Sequence, residues 1–370
     1  MDASQIARRF PLVARPRPAC PPLAERVQEI SDLARSAERD GTPNSAAVAQ
    51  NKAALIVSDC GLPDLARSLC WRHTEAYLRA QPLGAQVARH ALEPLVNLAR
   101  LLIRDGDAEG AYQLLVTLSR AVRARTEAVI EGRTLSFDKL TSSNDDHQQL
   151  CQWLWTVLLG DGTRALVAAG QWDRARAHAQ EHRGVGKRLF DGRQAEILAR
   201  CLGGEPASAL TFLEASTLVE EWERPVAACL AAFCLATSGE SKMGSFTHMV
   251  NEYIRLDATP GLSFFRTRVG LTVLDLAERT NMVQATEVPR RLIDEAATCA
   301  DGYVAREVLA HPGCRKQMSQ DERRALSAVV SAAGLARGHV PSNLLRDLLK
   351  AVSTSAAVTD RALAAVTRSR

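Results

Sequence analysis

The side chains whose spacing most suggests chemistry are His178, Glu181 and His182, in the run His-Ala-Gln-Glu-His. This spells H-x-x-E-H, the inverted zinc-peptidase signature. Four residues apart on a helix, the imidazoles share a face and can hold Zn²⁺ while the carboxylate acts as general base. A peptidase also needs a third ligand and a walled cleft, and no downstream helix offers a distinctive carboxylate pair. The preceding Asp173, Arg174, Ala175, Arg176 and Ala177 read instead as a charged, solvated helix face. No metal and no cofactor is therefore expected.

Other chemical residues have structural readings. Gly184-Val185-Gly186-Lys187-Arg188 lacks the spacing and the preceding strand of a phosphate loop and reads as a turn between helices. Asp145-Asp146-His147 reads as an acidic cap for a helix starting near Gln148. Trp153, Trp155, Trp172 and Trp222 lie at helical spacing beside leucines, as packing aromatics do. Cys229 and Cys234 have no base placed beside them and read as core thiols.

The elements that must position these residues follow from composition and period. The 370 residues are 46% hydrophobic and 24% charged, enough to build a sizeable interior. Forty-six basic and 42 acidic residues give a formal charge of +4, far from the basic excess of a dedicated DNA-binding domain. Nine cysteines include no C-x-x-C and sit mostly on apolar stretches, as reduced thiols do, so a cytoplasmic location is expected. No signal-peptide core or membrane-spanning run is read in the sequence. Only six of the basic residues are lysine, a bias like that of high-GC genomes such as those of actinobacteria.

Residues 1–22 carry Pro11, Pro16, Pro18, Pro21 and Pro22 and are expected to form an extended arm, because proline fixes φ and restrains its predecessor. From Leu23 the period becomes helical, with Val27, Ile30, Leu33, Ala34 and Ala37 on one stripe. A glycine followed five residues later by alanine then recurs at helix ends: Gly61 and Ala66, Gly106 and Ala111, Gly170 and Ala175, Gly204 and Ala209. Six such pairs occur, two of them away from the pattern. Weaker copies place Gly239 before Gly244 and Thr280 before Ala285. The glycine suits a left-handed helix cap, and the alanine lets the second helix approach the first closely. Successive turn glycines at 170, 204 and 239 are 34 and 35 residues apart. A polar insertion loop is expected near 131–147, and no β pattern of useful length is read. Ser319 and Glu322 have capping-box spacing. That helix and the stripe Leu344, Leu345, Leu348 and Leu349 are expected to close the end of the stack.

Residues about 46–300 resemble the tetratricopeptide repeat superfamily. The resemblance rests on Ala54, Ala99 and Thr163 in first helices, on the turn glycines, and on Ala66, Ala111, Ala175 and Ala209 in second helices; the early Trp, the Tyr and the closing Pro of the consensus are missing. It implies an all-α, right-handed superhelical solenoid of antiparallel helix hairpins: a proline-rich arm at 1–22, about six hairpins within 23–300, and a C-terminal helical cap at 301–370. Counting back from the repeat alanines places Asn51, Arg100, Arg104, Arg164 and Gln194 on the inner groove, a polar surface with a cationic centre suited to carboxylates or an acidic peptide.

The leading expectation is a non-catalytic protein- or peptide-binding scaffold, such as a leader-peptide or partner-enzyme binding subunit in a peptide natural-product pathway of lanthipeptide type. The alternatives are a regulatory repeat protein acting through a partner, and an enzyme, either zinc-dependent through His178, Glu181 and His182 or a subunit completing another protein's active site. A homo-oligomer is compatible with all of these.

Overall fold

The computed structural model describes residues 3–239, 243–278 and 287–368. It is predominantly helical. In chain order come α1 (Ala3–Arg9), α2 (Leu23–Asp40), α3 (Pro43–Asp59), α4 (Pro63–Leu78), α5 (Ala85–Arg104) and α6 (Ala108–Ala124). Strands β1 (Glu127–Ile130) and β2 (Arg133–Ser136) follow, then α7 (Asn144–Val157), a π-helical turn (Leu158–Gly162), α8 (Thr163–Ala168) and α9 (Trp172–Glu181). Next are α10 (Asp191–Leu202), α11 (Pro206–Glu214), α12 (Glu223–Thr237), α13 (Met243–Arg255), α14 (Ser263–Ala277) and α15 (Glu287–Cys299). The last are α16 (Gly302–Ala310), α17 (Pro312–Gln317), α18 (Gln320–Ala332) and α19 (Ser342–Arg368). No helix among the described residues is long and apolar enough to cross a membrane.

One turn is used repeatedly. At Gly61, Gly106, Gly170 and Gly204 φ is +83°, +90°, +70° and +87°, a region in which a Cβ crowds the backbone and glycine does not. After each glycine the next amide donates to the carbonyl five residues back: Leu62 to Val57 at 3.0 Å, and Asp107 to Leu102, Gln171 to Leu166 and Glu205 to Arg200 at 2.9 Å. This closure satisfies carbonyls that the ending helix leaves open. The alanines at 66, 111, 175 and 209 are fully buried, so the paired helices meet through a methyl group. Gly41 and Ala46, outside the four pairs that carried the pattern in the sequence, make the same turn, with Thr42 donating to Ala37 at 3.2 Å. Gly239 is likewise left-handed at +78°. Thr280 and Ala285 lie outside the described residues.

The chain divides into two compact units. The ribbon unit holds residues 22–161 and 334–370, and the arm unit holds 1–21 and 162–333. These boundaries differ from divisions at 22 and 300. Helix α19 does not close the far end of the repeats but packs against α2 and α3. Its buried face is Leu348, Ala351, Val352, Ser355, Val358 and Thr359, small enough to sit close to Ala37 and Ala46. Of the four leucines in the stripe only Leu348 is fully buried, Leu344 and Leu345 are half-buried and Leu349 is exposed. The capping box forms as expected: Ser319 N–H donates to Glu322 at 2.8 Å and Glu322 N–H donates to Ser319 at 3.2 Å.

The insertion near 131–147 is not wholly loop. It begins in an antiparallel ribbon with Ile130 opposite Arg133 and Glu127 opposite Ser136. Glu131 and Gly132 have φ of +47° and +76°, the backbone of a two-residue hairpin turn whose twist suits paired strands. Four-residue strands are too short for their alternation to stand out in the sequence. The first helix of the third hairpin is also interrupted, where Gly160 and Gly162 flank Asp161 in the π turn.

Candidate functional site

The five groove residues fall in two places. Asn51, Arg100 and Arg104 belong to the ribbon unit, and each is engaged by its own helices. Asn51 donates to Glu93 at 3.0 Å. Arg100 donates to Asp161 at 2.8 Å and to Asn97 at 3.2 Å. Arg104 bonds to Ser58 and lies 3.2 Å from Asp59, and Asp59 also binds the buried Arg26. Arg164 and Gln194 belong to the arm unit, where Arg164 lies 3.8 Å from Asp191.

The cationic centre is therefore corrected. Asp59, Asp161 and Asp191 are all buried and offset the charge of the arginines that the spacing brought forward. An acidic ligand would find each guanidinium already facing a carboxylate. The sequence hid this because each aspartate is a single acid at a helix end or in the π turn, and no local spacing ties it to its arginine.

Gln194 is corrected too: it is fully buried, not a lining residue of an open groove. Its side chain holds the arm. Residues 10–22 carry no regular secondary structure, with a bend at Pro11 and a tight turn in which Arg15 N–H donates to Val13 O at 2.9 Å, and they follow a short helix α1 that the sequence reading did not include. The Gln194 carboxamide accepts the Leu12 N–H at 2.7 Å and donates to the Leu12 carbonyl at 2.7 Å, while also donating to Leu189 O at 2.6 Å. One amide thus reads both main-chain groups of a single residue, an arrangement indifferent to that residue's side chain.

Further contacts continue along the arm. Arg268 donates to the carbonyls of Arg8, at 2.8 Å, and Arg9. Arg17 N–H donates to Gly261 O at 2.9 Å, and Gly302 N–H donates to Cys20 O at 2.9 Å. A Cβ on Gly302 would come within 2.5 Å of Ala333 Cβ and 3.2 Å of that carbonyl, so glycine is required by Ala333 and also leaves room for the arm.

Side-chain recognition is superimposed on this main-chain grip. Phe10, Leu12 and Cys20 are buried. Arg15 meets Asp191 through both terminal nitrogens, one at 3.0 Å, the fork geometry that favours arginine over lysine. Arg9 donates to Asp275 at 2.6 Å, and His311 Nε2 lies 3.1 Å from the same carboxylate. Burial alone would raise the Asp275 pKa, but the His311 hydrogen bond and the Arg9 charge outweigh it and hold the carboxyl below its ordinary range. The Arg17 guanidinium lies 3.7 Å from the Tyr303 ring centre and 4.6 Å from that of Phe264, inside cation–π range. The surface is thus equipped for arginine, opposite in sign to the expected acidic ligand.

The remaining chemical residues take structural places. His178 is buried and its ring lies edge-on to His182 at 4.5 Å. Among the described residues no group of three or more His, Cys, Asp or Glu is placed to hold a metal ion. Trp172 and Trp222 are buried, and Trp222 packs edge-on to Phe265 at 5.8 Å. Asp146 accepts the Ala85 N–H at 2.8 Å, so it caps α5 as well as standing in the first turn of α7. All nine cysteines are free thiols. A hydrogen bond between Cys201 and Cys234 lowers the pKa of the first and raises that of the second, a pairing across α10 and α12 with no local signature. No protein-family model, curated protein or solved structure matches the chain.

Proposed function

We propose that this chain is a non-catalytic scaffold that holds an extended peptide segment of a partner protein on its arm unit. The carrying observation is Gln194, whose carboxamide closes both main-chain hydrogen bonds of Leu12. Main-chain recognition of an extended strand supplies affinity without a fixed sequence, and neighbouring pockets add selectivity. Asp191, Asp275 and the Phe264–Tyr303 pair supply that selectivity here, and all favour arginine. The tetratricopeptide-like, right-handed solenoid reading is supported by the repeated glycine turn and its buried alanine. Leader peptides and partner-enzyme tails are both ligands of the right form.

Panning a displayed library of random peptides against the full chain tests this. Enriched peptides should be rich in arginine and should lose about tenfold or more in affinity for Gln194→Ala, roughly one lost charge-free hydrogen-bond pair. A library that yields no binder, or binders indifferent to Gln194→Ala, sinks the reading.

A further inference from the structure

The arm unit already contains an occupant. Leu12 lies 182 residues from Gln194, and Arg15 lies 176 from Asp191; the whole 22–161 part of the ribbon unit intervenes in sequence. The occupant enters the unit as a separate non-helical segment, with buried apolar anchors at Phe10 and Leu12 and arginines seated on acids and rings. Its middle is held less firmly. Arg15, Pro16, Pro18 and Ala19 are exposed, and the Arg15 side chain keeps 45% of its surface open to water although it meets a carboxylate that is 5% exposed. An exposed guanidinium gives little net energy on such a pair, so this stretch can exchange. The buried Asp191 carboxylate then still requires a cation, with Arg164 at 3.8 Å its other partner.

We propose that the arm is a tethered competitor, and that the ligand it holds off is a basic extended peptide of a partner protein with an apolar residue followed by arginine three and five positions later. This inference rests on the scaffold reading above. Leu12, Arg15 and Arg17 mark those three positions in the resident strand. A tethered strand acts at an effective concentration on the order of millimolar, so a free peptide making equal contacts is displaced at micromolar levels. The affinity seen from outside equals the intrinsic affinity scaled by the fraction of molecules whose arm is away. Partners that match the arm poorly are excluded, and those that match it better gain entry.

The probe is a fluorescein-labelled peptide of residues 8–20 with Cys20→Ser, titrated by anisotropy into the native full chain and into the full chain bearing Leu12→Asp and Arg15→Ala. The doubly substituted chain should bind the probe at least about tenfold more tightly than the native chain, because its own arm competes poorly. Adding Gln194→Ala, which removes both main-chain hydrogen bonds to the strand, should cancel that gain. Equal affinity for the two chains overturns the proposal. So does loss of the cooperative melting transition in the doubly substituted chain, which would make the arm an integral part of the fold. A concentration-dependent dimer of the native chain, abolished by the two arm substitutions, would assign the site to the arm of a second copy and also overturn it. If the probe discriminates nothing while panned peptides still depend on Gln194, the competitor falls and the scaffold stands; if both fail, both fall.

Discussion

In the ribbon unit Arg26 and Arg104 converge on Asp59; in the arm unit Arg15 and Arg164 converge on Asp191. The two arrangements have the same composition: a buried aspartate between two arginines, close to a glycine-turned hairpin. They differ in where the arginines come from. Both arginines on Asp59 lie within 46 residues of it and belong to helices packed around it; Arg104 is 45% exposed, but the Arg26 side chain is only 9% exposed. One partner of Asp191 comes from a strand far off in sequence, and both of its arginine side chains are more than 40% exposed. The first set is assembled by neighbouring helices around a buried arginine, and the second is completed by a segment from far off in sequence.

The largest way to sharpen this contrast is to remove the two acids. Asp59→Ala should cost about 3–5 kcal/mol, because Arg26 is left buried without its carboxylate. In calorimetry that is a loss of roughly 6–20 °C in Tm. Asp191→Ala should cost only about 1 kcal/mol, since its arginines hydrate. Equal losses would break the comparison.

Next is Gln194→Ala, which strands the Leu12 N–H and the carbonyls of Leu12 and Leu189 for about 1–3 kcal/mol. Amide hydrogen exchange over residues 10–20 should accelerate about tenfold or more while α3 and α4 keep their protection. Uniform acceleration would show that the arm is not separately held.

The ribbon unit should also carry a pH dependence. His73 is buried with Nε2 unpartnered, and burial first, then the charge of His90, lower its pKa from 6.5 to about 3. Its folded pKa lies below its unfolded one, so below pH 6.5 the unfolded chain takes up a proton that the native chain refuses. The stability His73 provides is complete above pH 6.5 and declines as pH falls toward 3, by roughly 1–2 kcal/mol at pH 5. His73→Phe should flatten the Tm slope between pH 6.5 and 4.5, and an unchanged slope would remove His73 as its source.

The smallest effects test the shared turn. Gly106→Ala and Gly204→Ala, one in each unit, should each cost about 1 kcal/mol for the left-handed φ alone, because a Cβ at either position meets open space. Gly61→Ala should cost more, its Cβ lying 3.1 Å from Gly338 N. Chemical denaturation curves that separate Gly106 from Gly204 would show that the turns are not equivalent.

What the sequence made legible is what local chemistry determines. The turn glycines, the fully buried Ala66, Ala111, Ala175 and Ala209, the Ser319 capping box and the proline-rich arm all depend on residues within a few positions of one another. The missed features depend on distance. Nothing near Asp191 announces Arg15, and nothing near Gln194 announces Leu12. Ser355 and Thr359 lie on the buried face of α19, yet polar residues in a helix read as solvent-facing until its partners are known. The ribbon escaped for a different reason: Glu131 and Gly132 read as part of a polar loop, and strands of four residues each are too short to show their alternation. The sequence reading picked out Gln194 and a run of arginines but not the aspartates that face them, because arginines at regular spacing are visible and the acids that neutralise them are not.

The packing of α19 on α2 and α3 has a consequence for how the chain is made. Gln50 and Thr359, joined by a hydrogen bond, are 309 residues apart. A ribosome adding about 5–20 residues per second delivers the second roughly 15–60 s after the first. Through that interval the faces of α2 and α3 are in the cell without their cover, open to chaperones or to other nascent chains. That surface waits for a helix translated hundreds of residues later, so a chain cut short between them would carry an uncovered face ready to associate.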